Sequence, residues 1–574
     1  MTLALPLLAA MLPLEIADRA VTGDVTVVNV RWAFKDGRID WLFNPTKLRG
    51  PVNHEWVWQL NRMDFWTPMA DAYRATRDEK YARAFAAQLE GWLDQTGGVP
   101  PEENYSPYQA DSPWRTIEEG IRLMSRWPVA WDAFRDSPAF TDDLKRRFVA
   151  SMQAQAKHLL KHRTGNNWLL MEMNGVYAFA SKFPDFPESA AWRREAADAF
   201  AAALRRQMLP DGLHDELSPD YHGVAYWCAL PLYEMAKANG FEKDLPADYL
   251  DLLCRGIEGP LALTTPTFRQ PRFNDCFTLT LPGIMHGAHR LFPARRDFLW
   301  AATSGREGEP PDGVTASRFL PWAGFAAMRT DWSRDATYLC FDVGPLGVAH
   351  SHQDKLSFTL WKGDEELVFD DGGGQYEISR ERDYAISGYD HNTLLVDGLA
   401  QFRREPKRVA GPIDAGWETS SVRDRAVGVY DQGFGSRELR LATHRREIVF
   451  DKTADAFTVT DDVKSADGRV HDYELLFQLD TTNVTVAAGG RDVYVDYGPG
   501  RKWALEMSFA DADSVTPVSA RHEPSPAGWF VGRNDNSVRP ATTLFVRVSG
   551  RTNHTFVTKM KVLRARQEAR GEKL

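Results

Sequence analysis

The sequence predicts an α+β multidomain chain, helical through its first half and built of antiparallel strands in its second. Three observations carry this reading. From about residue 55 to 300 apolar residues recur at three- and four-residue steps, the mark of helices with one buried stripe. Around residues 304–313 the composition turns linker-like, rich in Gly, Pro and charged residues. Beyond that stretch the apolar period falls to two, with turn residues between short runs. At 574 residues, 43% of them apolar, the chain can bury two or more cores.

Residues 1–50 form an N-terminal segment of short extended structure. Residues 3–14 are apolar enough for the core of an export signal, but no Lys or Arg precedes them and no small-x-small cleavage site follows. A trimmed start followed by a buried segment fits equally, and the run is too short to cross a bilayer as a helix.

Residues 51–305 read as a helical domain. In 80–93 the stripe is Tyr81, Phe85, Leu89 and Trp92; in 142–160 it is Leu144, Phe148, Met152 and Leu159. Thr141 ahead of Asp142 and Asp143 has the chemistry of an N-cap with a favourable first turn. Similar stretches near 65–75, 114–134, 167–182, 192–209, 223–239 and 285–302 suit paired helices stacked in a ring or solenoid.

Residues 316–574 read as strands. Leu356, Phe358 and Leu360 alternate with polar neighbours, Gly363-Asp364 turns the chain and Leu367-Val368-Phe369 returns it. Ile448-Val449-Phe450, a turn at Thr453-Ala454-Asp455 and the run from Phe457 repeat the pattern, which argues for a β-sandwich.

A net charge of −10 and a pI near 5.8 argue against a general electrostatic trap for nucleic acid or other polyanions. An acidic partner must be met by a few placed Arg and His residues. Cys228, Cys254, Cys276 and Cys340 show no C-x-x-C pair and read as small buried hydrophobes. No window reads as membrane-spanning, so neither nucleic acid nor membrane is an expected partner.

Three distant clusters carry the chemistry: Asn166-Asn167-Trp168, Tyr221-His222, and His350-Ser351-His352 with Asp370 and His391-Asn392 behind it. Removing a proton beside a sugar-ring carboxylate needs that carboxylate neutralised, a base for the proton and an acid for the leaving oxygen. An amide, an imidazole and a phenol supply these roles. Each residue also has an ordinary structural use. An Asn pair before a helix commonly caps it, and a Tyr at a helix start is commonly half-buried packing. His-x-His on a strand puts both rings on one face, which fits a metal site.

Gly165-Asn166-Asn167-Trp168, the run from Asp211 to His222, the run from His350 to Phe358, Phe369-Asp370-Asp371-Gly372 and Asp390-His391-Asn392-Thr393 resemble the signatures of heparinase II/III-type polysaccharide lyases. Trp58 to Arg62 and Pro113 to Ile117 resemble stretches lining that family's groove, so the likeness covers most of the chain. It implies an (α/α) toroid followed by an antiparallel β-sandwich, with the active cleft between them. Residue by residue it puts Asn167 on the carboxylate-neutralising Asn, Tyr221 on the catalytic Tyr and His350 on the catalytic His. It puts His352, Asp370 and His391 on metal ligands. Trp168 stands where some relatives carry His, which favours the version that neutralises with Asn alone, nearer the heparinase III type.

Two His and a carboxylate suit Zn²⁺, with Mn²⁺ or Ca²⁺ as alternatives, in a structural role. Asn61, Arg62, Trp114, Arg115, Glu216 and His222 are the candidates for gripping sugar, beside Trp58. The expected partner is an acidic polysaccharide, of heparan sulfate or a related glycosaminoglycan, met in the periplasm or outside the cell. Either Tyr221 or His350 takes the proton. Alginate or another polyuronate is the alternative polymer. Asp215-Glu216 keeps a glycoside hydrolase open, though adjacent carboxylates rarely supply a separated acid and base, and a non-catalytic carbohydrate-binding protein is the third class.

Overall fold

The computed structural model describes residues 13–100, 105–106, 109–403 and 408–565, so most of the apolar stretch 3–14 lies outside the described residues. Two compact units divide the chain. The first comprises Met1–Gln207, Val224–Leu253 and Gln375–Ser379; the second comprises Met208–Gly223, Cys254–Gly374 and Arg380–Leu574.

The first unit is helical after a short antiparallel hairpin, Asp24–Val27 with Val30–Ala33. Helix Glu79–Thr96 starts where Asp78 accepts from Lys80 N at 2.9 Å and stops at Gly97, whose φ of 67° only glycine adopts readily. Its Tyr81, Phe85, Leu89 and Trp92 are all buried, and Thr141 caps Asp142–Lys161 through Leu144 N, both as the spacing predicts. Aromatic rings fill the space between helices: Phe85 stacks on Phe134 at 4.6 Å and Trp127 on Phe148 at 4.5 Å.

One expected helix carries a π segment and another is divided, with a proline at each place. The 114–134 stretch runs as Thr116–Ile121, a π segment Arg122–Arg126, and Trp127–Phe134, with Pro128 lacking the N–H that would close a regular turn. The 285–302 stretch divides into Pro282–Leu291 and Arg296–Ala302 at Pro293, with Phe292 pushed out of helical geometry (φ −123°, ψ 66°). Gly120 and Gly175 let Thr116–Ile121 and Asn166–Lys182 nearly touch; a Cβ on Gly175 would lie 2.7 Å from Gly120 O.

In the second unit the linker-like stretch packs back on its own helix: Glu307 N donates to Thr303 Oγ1 at 2.9 Å and Glu309 N to Arg296 O at 3.2 Å. Two large antiparallel sheets follow, beside a two-stranded pair, Trp529–Val531 with Val538–Pro540. One runs Asn483–Val486, Asp492–Asp496, Trp503–Phe509, Asn553–Arg564, Ala456–Ser465, Ala442–Asp451, Arg423–Tyr430, Glu418–Thr419. The other runs Ser514–Val518, Thr542–Arg551, His471–Leu479, Glu365–Val368, Phe358–Lys362, Thr337–Asp342, Phe325–Arg329, Arg318–Leu320, with Leu394–Val396 also on His471–Leu479.

Their facing sides share one core, with Leu339, Phe341 and Phe358 from one sheet and Ile448, Phe450 and Phe457 from the other. Ala442–Asp451 alternates buried and half-exposed residues, as a strand with one wet face should. Thr337–Asp342 is buried on both faces because Leu209, Leu213, Leu217, Leu263 and Phe273 cover its other side. That cover carries residues 208–223 onto the sheet and so positions Tyr221.

Candidate active site

The loop 208–223 is fixed before it reaches Tyr221. Asp211 Oδ2 accepts from Trp322 N and Ala323 N, each at 2.8 Å, at the edge of the sheet. Ser218 then serves the first turn of helix Pro219–Asn239: its hydroxyl accepts from Tyr221 N at 3.4 Å and donates to Asp275 O at 2.6 Å. The loop carrying His350 lies against it. Val348 N donates to Asp215 O at 3.2 Å, and a Cβ on Gly347 (φ 77°) would be 2.6 Å from Glu216 O, so only glycine allows this approach.

Tyr221 and His350, 129 positions apart in the sequence, meet ring on ring, with centroids 3.5 Å apart and planes 10° from parallel. His350 holds a left-handed backbone (φ 58°), strained for a residue with a Cβ, and its side chain is 22% exposed, open enough to meet a ligand. Its Nδ1 is 3.1 Å from Asp275 Oδ2, and its Nε2 is 3.7 Å from Oε2 of buried Glu216. Asp215, beside Glu216, is ion-paired with Arg408.

Asp275 also meets His352 Nε2 at 3.1 Å, Arg382 Nη1 at 2.6 Å and Arg533 Nη1 at 3.6 Å. Burial opposes its ionisation, but the two guanidiniums and two imidazoles hold its carboxyl well below the usual range.

His352, Asp370 and His391 are fully buried, and one potential ligand atom from each lies within 4.8 Å of the others. His391 Nδ1 is 2.9 Å from Asp370 Oδ2. Among the described residues, His352 Nδ1 and His391 Nε2 have no hydrogen-bond partner although both are buried. Orphaned imidazole nitrogens beside a carboxylate fit a cation with nitrogen and oxygen ligands. Gly373 (φ 86°) makes room for the cluster, since a Cβ there would be 2.4 Å from His352 Cε1.

His222 departs from expectation. It is 3% exposed, and its Nε2 is 2.7 Å from Gly256 O; burial lowers its pKa to about 4, so the neutral ring supports the fold rather than meeting sugar. Asn61 and Trp114, in the first unit, are corrected in the same way. Asn61 is wholly buried, with Nδ2 donating to Trp41 O and Val57 O and Oδ1 accepting from Trp92 Nε1. Trp114 is 5% exposed and packs on Trp92.

Arg62 and Arg115 both clasp Glu118, with Glu55 beside them, and Arg115 lies 3.4 Å over the Trp58 ring. Arg62, at 18%, is the more exposed of the two. Asn167 is buried in the first turn of Asn166–Lys182, after Asn166 at φ 53°.

Residues 12–300 match the family model described as Heparinase II/III N-terminus, and residues 312–566 match Heparinase II/III-like, C-terminal. The chain belongs to the heparinase II/III family. Similar proteins include the heparin-sulfate lyase of Pedobacter heparinus, 29% identical over 394 residues, or 67% of this chain and 58% of that protein. That of Bacteroides thetaiotaomicron is 22% identical over 465 residues, 76% and 63%. The chain thus spans less than two thirds of the length of the curated relatives it matches.

Among solved structures, a heparinase III superposes with a TM-score of 0.82 at 18% identity, covering 98% of this chain and 87% of that one. The heparan sulfate lyase HepC of Pedobacter heparinus gives 0.64 at 24%, covering 97% and 83%. The fold is therefore that family's helical toroid and antiparallel sandwich, as the sequence predicts. Sequence reasoning missed Asp275. Its one signal is Asn274-Asp275, a pair of turn-forming residues between Phe273 and Cys276, with Asn274 at φ 58°.

Proposed function

We propose that this heparinase II/III family member is a polysaccharide lyase that cleaves a uronic-acid polymer of heparan sulfate type by β-elimination. The observation that carries the reading is the stacked Tyr221–His350 pair, a phenol and an imidazole delivered from distant segments to one partly exposed position. The relatives' names, heparin-sulfate lyase, support the polymer class.

The family likeness gives Asn167 the part of hydrogen-bonding the uronate carboxylate and spreading the charge that develops when C5 loses its proton. His350 Nε2 takes that proton, the C4–O bond breaks, and Tyr221 gives its hydroxyl proton to the departing oxygen. A C4–C5 double bond remains on one sugar and a hydroxyl on the other. Proton transfer from His350 to Tyr221, by way of water, resets the pair.

Positive charge for an acidic chain is at hand despite the net −10. Exposed Arg403 donates to Ser351 O at 2.9 Å, beside His350, and Arg408 is held on Asp215. A hydrolase is less well supported, because Asp215 is committed to Arg408 and Glu216 is buried.

His352, Asp370 and His391 would hold a divalent cation, Zn²⁺ first and Mn²⁺ or Ca²⁺ next, whose role is to tie their loops together. A polymer substrate does not cross membranes, so the reading puts the enzyme in the periplasm or outside the cell. Incubation with heparan sulfate, chondroitin, hyaluronan and alginate, following the absorbance of the conjugated product, tests it. The expected signal is strongest on heparan sulfate; hydrolytic sugar release with no such absorbance on any polymer refutes elimination.

A further inference from the structure

One carboxylate is shared by two histidines that have different work. Asp275 Oδ2 lies 3.1 Å from His350 Nδ1, and Oδ1 lies 3.1 Å from His352 Nε2. The neighbouring backbone and amide bind the same three segments. Asp275 N donates to His350 O at 3.1 Å, Asn274 Oδ1 accepts from His352 N at 2.9 Å, and Asn274 Nδ2 donates to Leu217 O at 3.0 Å. Ser218, which caps the turn bearing Tyr221, donates to Asp275 O. Arg382, itself bonded to Gly373 O, and Arg533, bonded to Gly374 O, bring compensating positive charge.

A carboxylate only accepts hydrogen bonds, and a neutral imidazole has one N–H. Each ring nitrogen facing Asp275 therefore carries the hydrogen, and the opposite nitrogen carries the lone pair. For His350 the opposite nitrogen is Nε2, on the side of Glu216; for His352 it is Nδ1, the buried nitrogen without a partner in the His352–Asp370–His391 cluster. A carboxylate behind a metal-binding histidine is a recurrent way of fixing which nitrogen faces the ion. Here the same carboxylate also fixes a second, differently employed ring.

We infer that Asp275 is a positioning residue that sets the tautomers of His350 and His352 together, making the proton-abstracting ring and the cation site one assembly. The His350 half of this inference rests on the proposed lyase reading; the His352 half does not.

Asp275→Asn tests it, because the two rings face different carboxylate oxygens and asparagine presents an acceptor oxygen to one of them and an NH2 donor to the other. At least one ring must turn over or lose its anchor. The variant and the wild type are compared as full chains by bound metal after loading with Zn²⁺ and removal of excess, by the shift in melting temperature on adding Zn²⁺, and by kcat and KM on heparan sulfate. The expected result is a drop in kcat of about 100-fold or more with KM within about threefold, a loss of at least half the bound metal, or both.

Long-range ¹⁵N–¹H spectra of histidine-labelled wild type, assigned with His350→Gln and His352→Gln, read the tautomers without any variant at position 275 and so stand even where Asp275→Asn fails to fold. Protonated Nδ1 on His350 and protonated Nε2 on His352 are expected; either opposite tautomer overturns the inference. So does an Asp275→Asn protein with unchanged metal retention and unchanged kcat. A wild type that yields no unsaturated product on any polymer sinks the lyase reading alone, while metal retention and tautomers still decide the role of Asp275.

Discussion

His222→Gln separates two uses of one histidine. Gln keeps an N–H able to reach Gly256 O but cannot titrate. In the folded wild type the ring is buried and its pKa is held near 4, against 6.5 when unfolded. Because the folded value is the depressed one, stability is full above pH 6.5, falls as the unfolded state takes up a proton the folded state refuses, and levels off below about 4.

Between pH 6.5 and about 4.5 that differential uptake removes about 2 kcal/mol from the wild type, and none of it from the variant. Urea unfolding of both proteins at the two pH values measures the difference directly. His222→Gln starts slightly less stable at pH 6.5 and loses about 2 kcal/mol less on acidification, with kcat/KM on the preferred polymer within about threefold of wild type. Equal losses in both proteins would refute the buried neutral ring, and a collapse of kcat/KM with the fold intact would restore His222 as a sugar contact.

Other consequences follow from the same geometry. His391→Ala removes one member of the buried cluster and leaves Asp370 without its imidazole, so metal content and melting temperature fall together; full occupancy with unchanged melting contradicts the cation site. Asn61→Ala strands the Trp92 indole N–H and the Trp41 carbonyl, while Val57 O keeps the backbone N–H of residue 61, and costs about 2 kcal/mol by chemical denaturation while sparing turnover at low temperature. A stable Asn61→Ala protein with a raised KM would instead mark a sugar contact. Gly175→Ala drives a methyl to 2.7 Å from Gly120 O and costs about 2 kcal/mol or more; a neutral effect would mean the two helices are farther apart than described.

Much of the fold was legible because burial imposes periodicity. Tyr81, Phe85, Leu89 and Trp92 had to share a face, and the turns at Gly363-Asp364 and Thr453-Ala454-Asp455 fall between paired strands as read. Apolar spacing does not register Pro128 and Pro293, beside which one helix takes a π segment and another divides.

For the site, Tyr221, Glu216, His350 and the His352–Asp370–His391 cluster stood in recognisable runs, and the second unit brings them together. Asp275 did not, because its partners lie 75 and 77 positions away and nothing local distinguishes it from a turn residue. Asn61 and Trp114 misled for the opposite reason: amide and indole serve sugar and core alike, and only packing shows that Trp92 claims both.

Tyr221 and His350 are proposed to break a uronate glycosidic bond by elimination. Mass spectrometry of the fragments released from heparan sulfate tests it most directly, with wild type beside Tyr221→Phe. Wild-type fragments are expected to be lighter by one water than hydrolysis products and to end in an unsaturated uronate, with almost none from a folded Tyr221→Phe. Saturated, hydrated ends, or undiminished cleavage by Tyr221→Phe, would contradict the proposal.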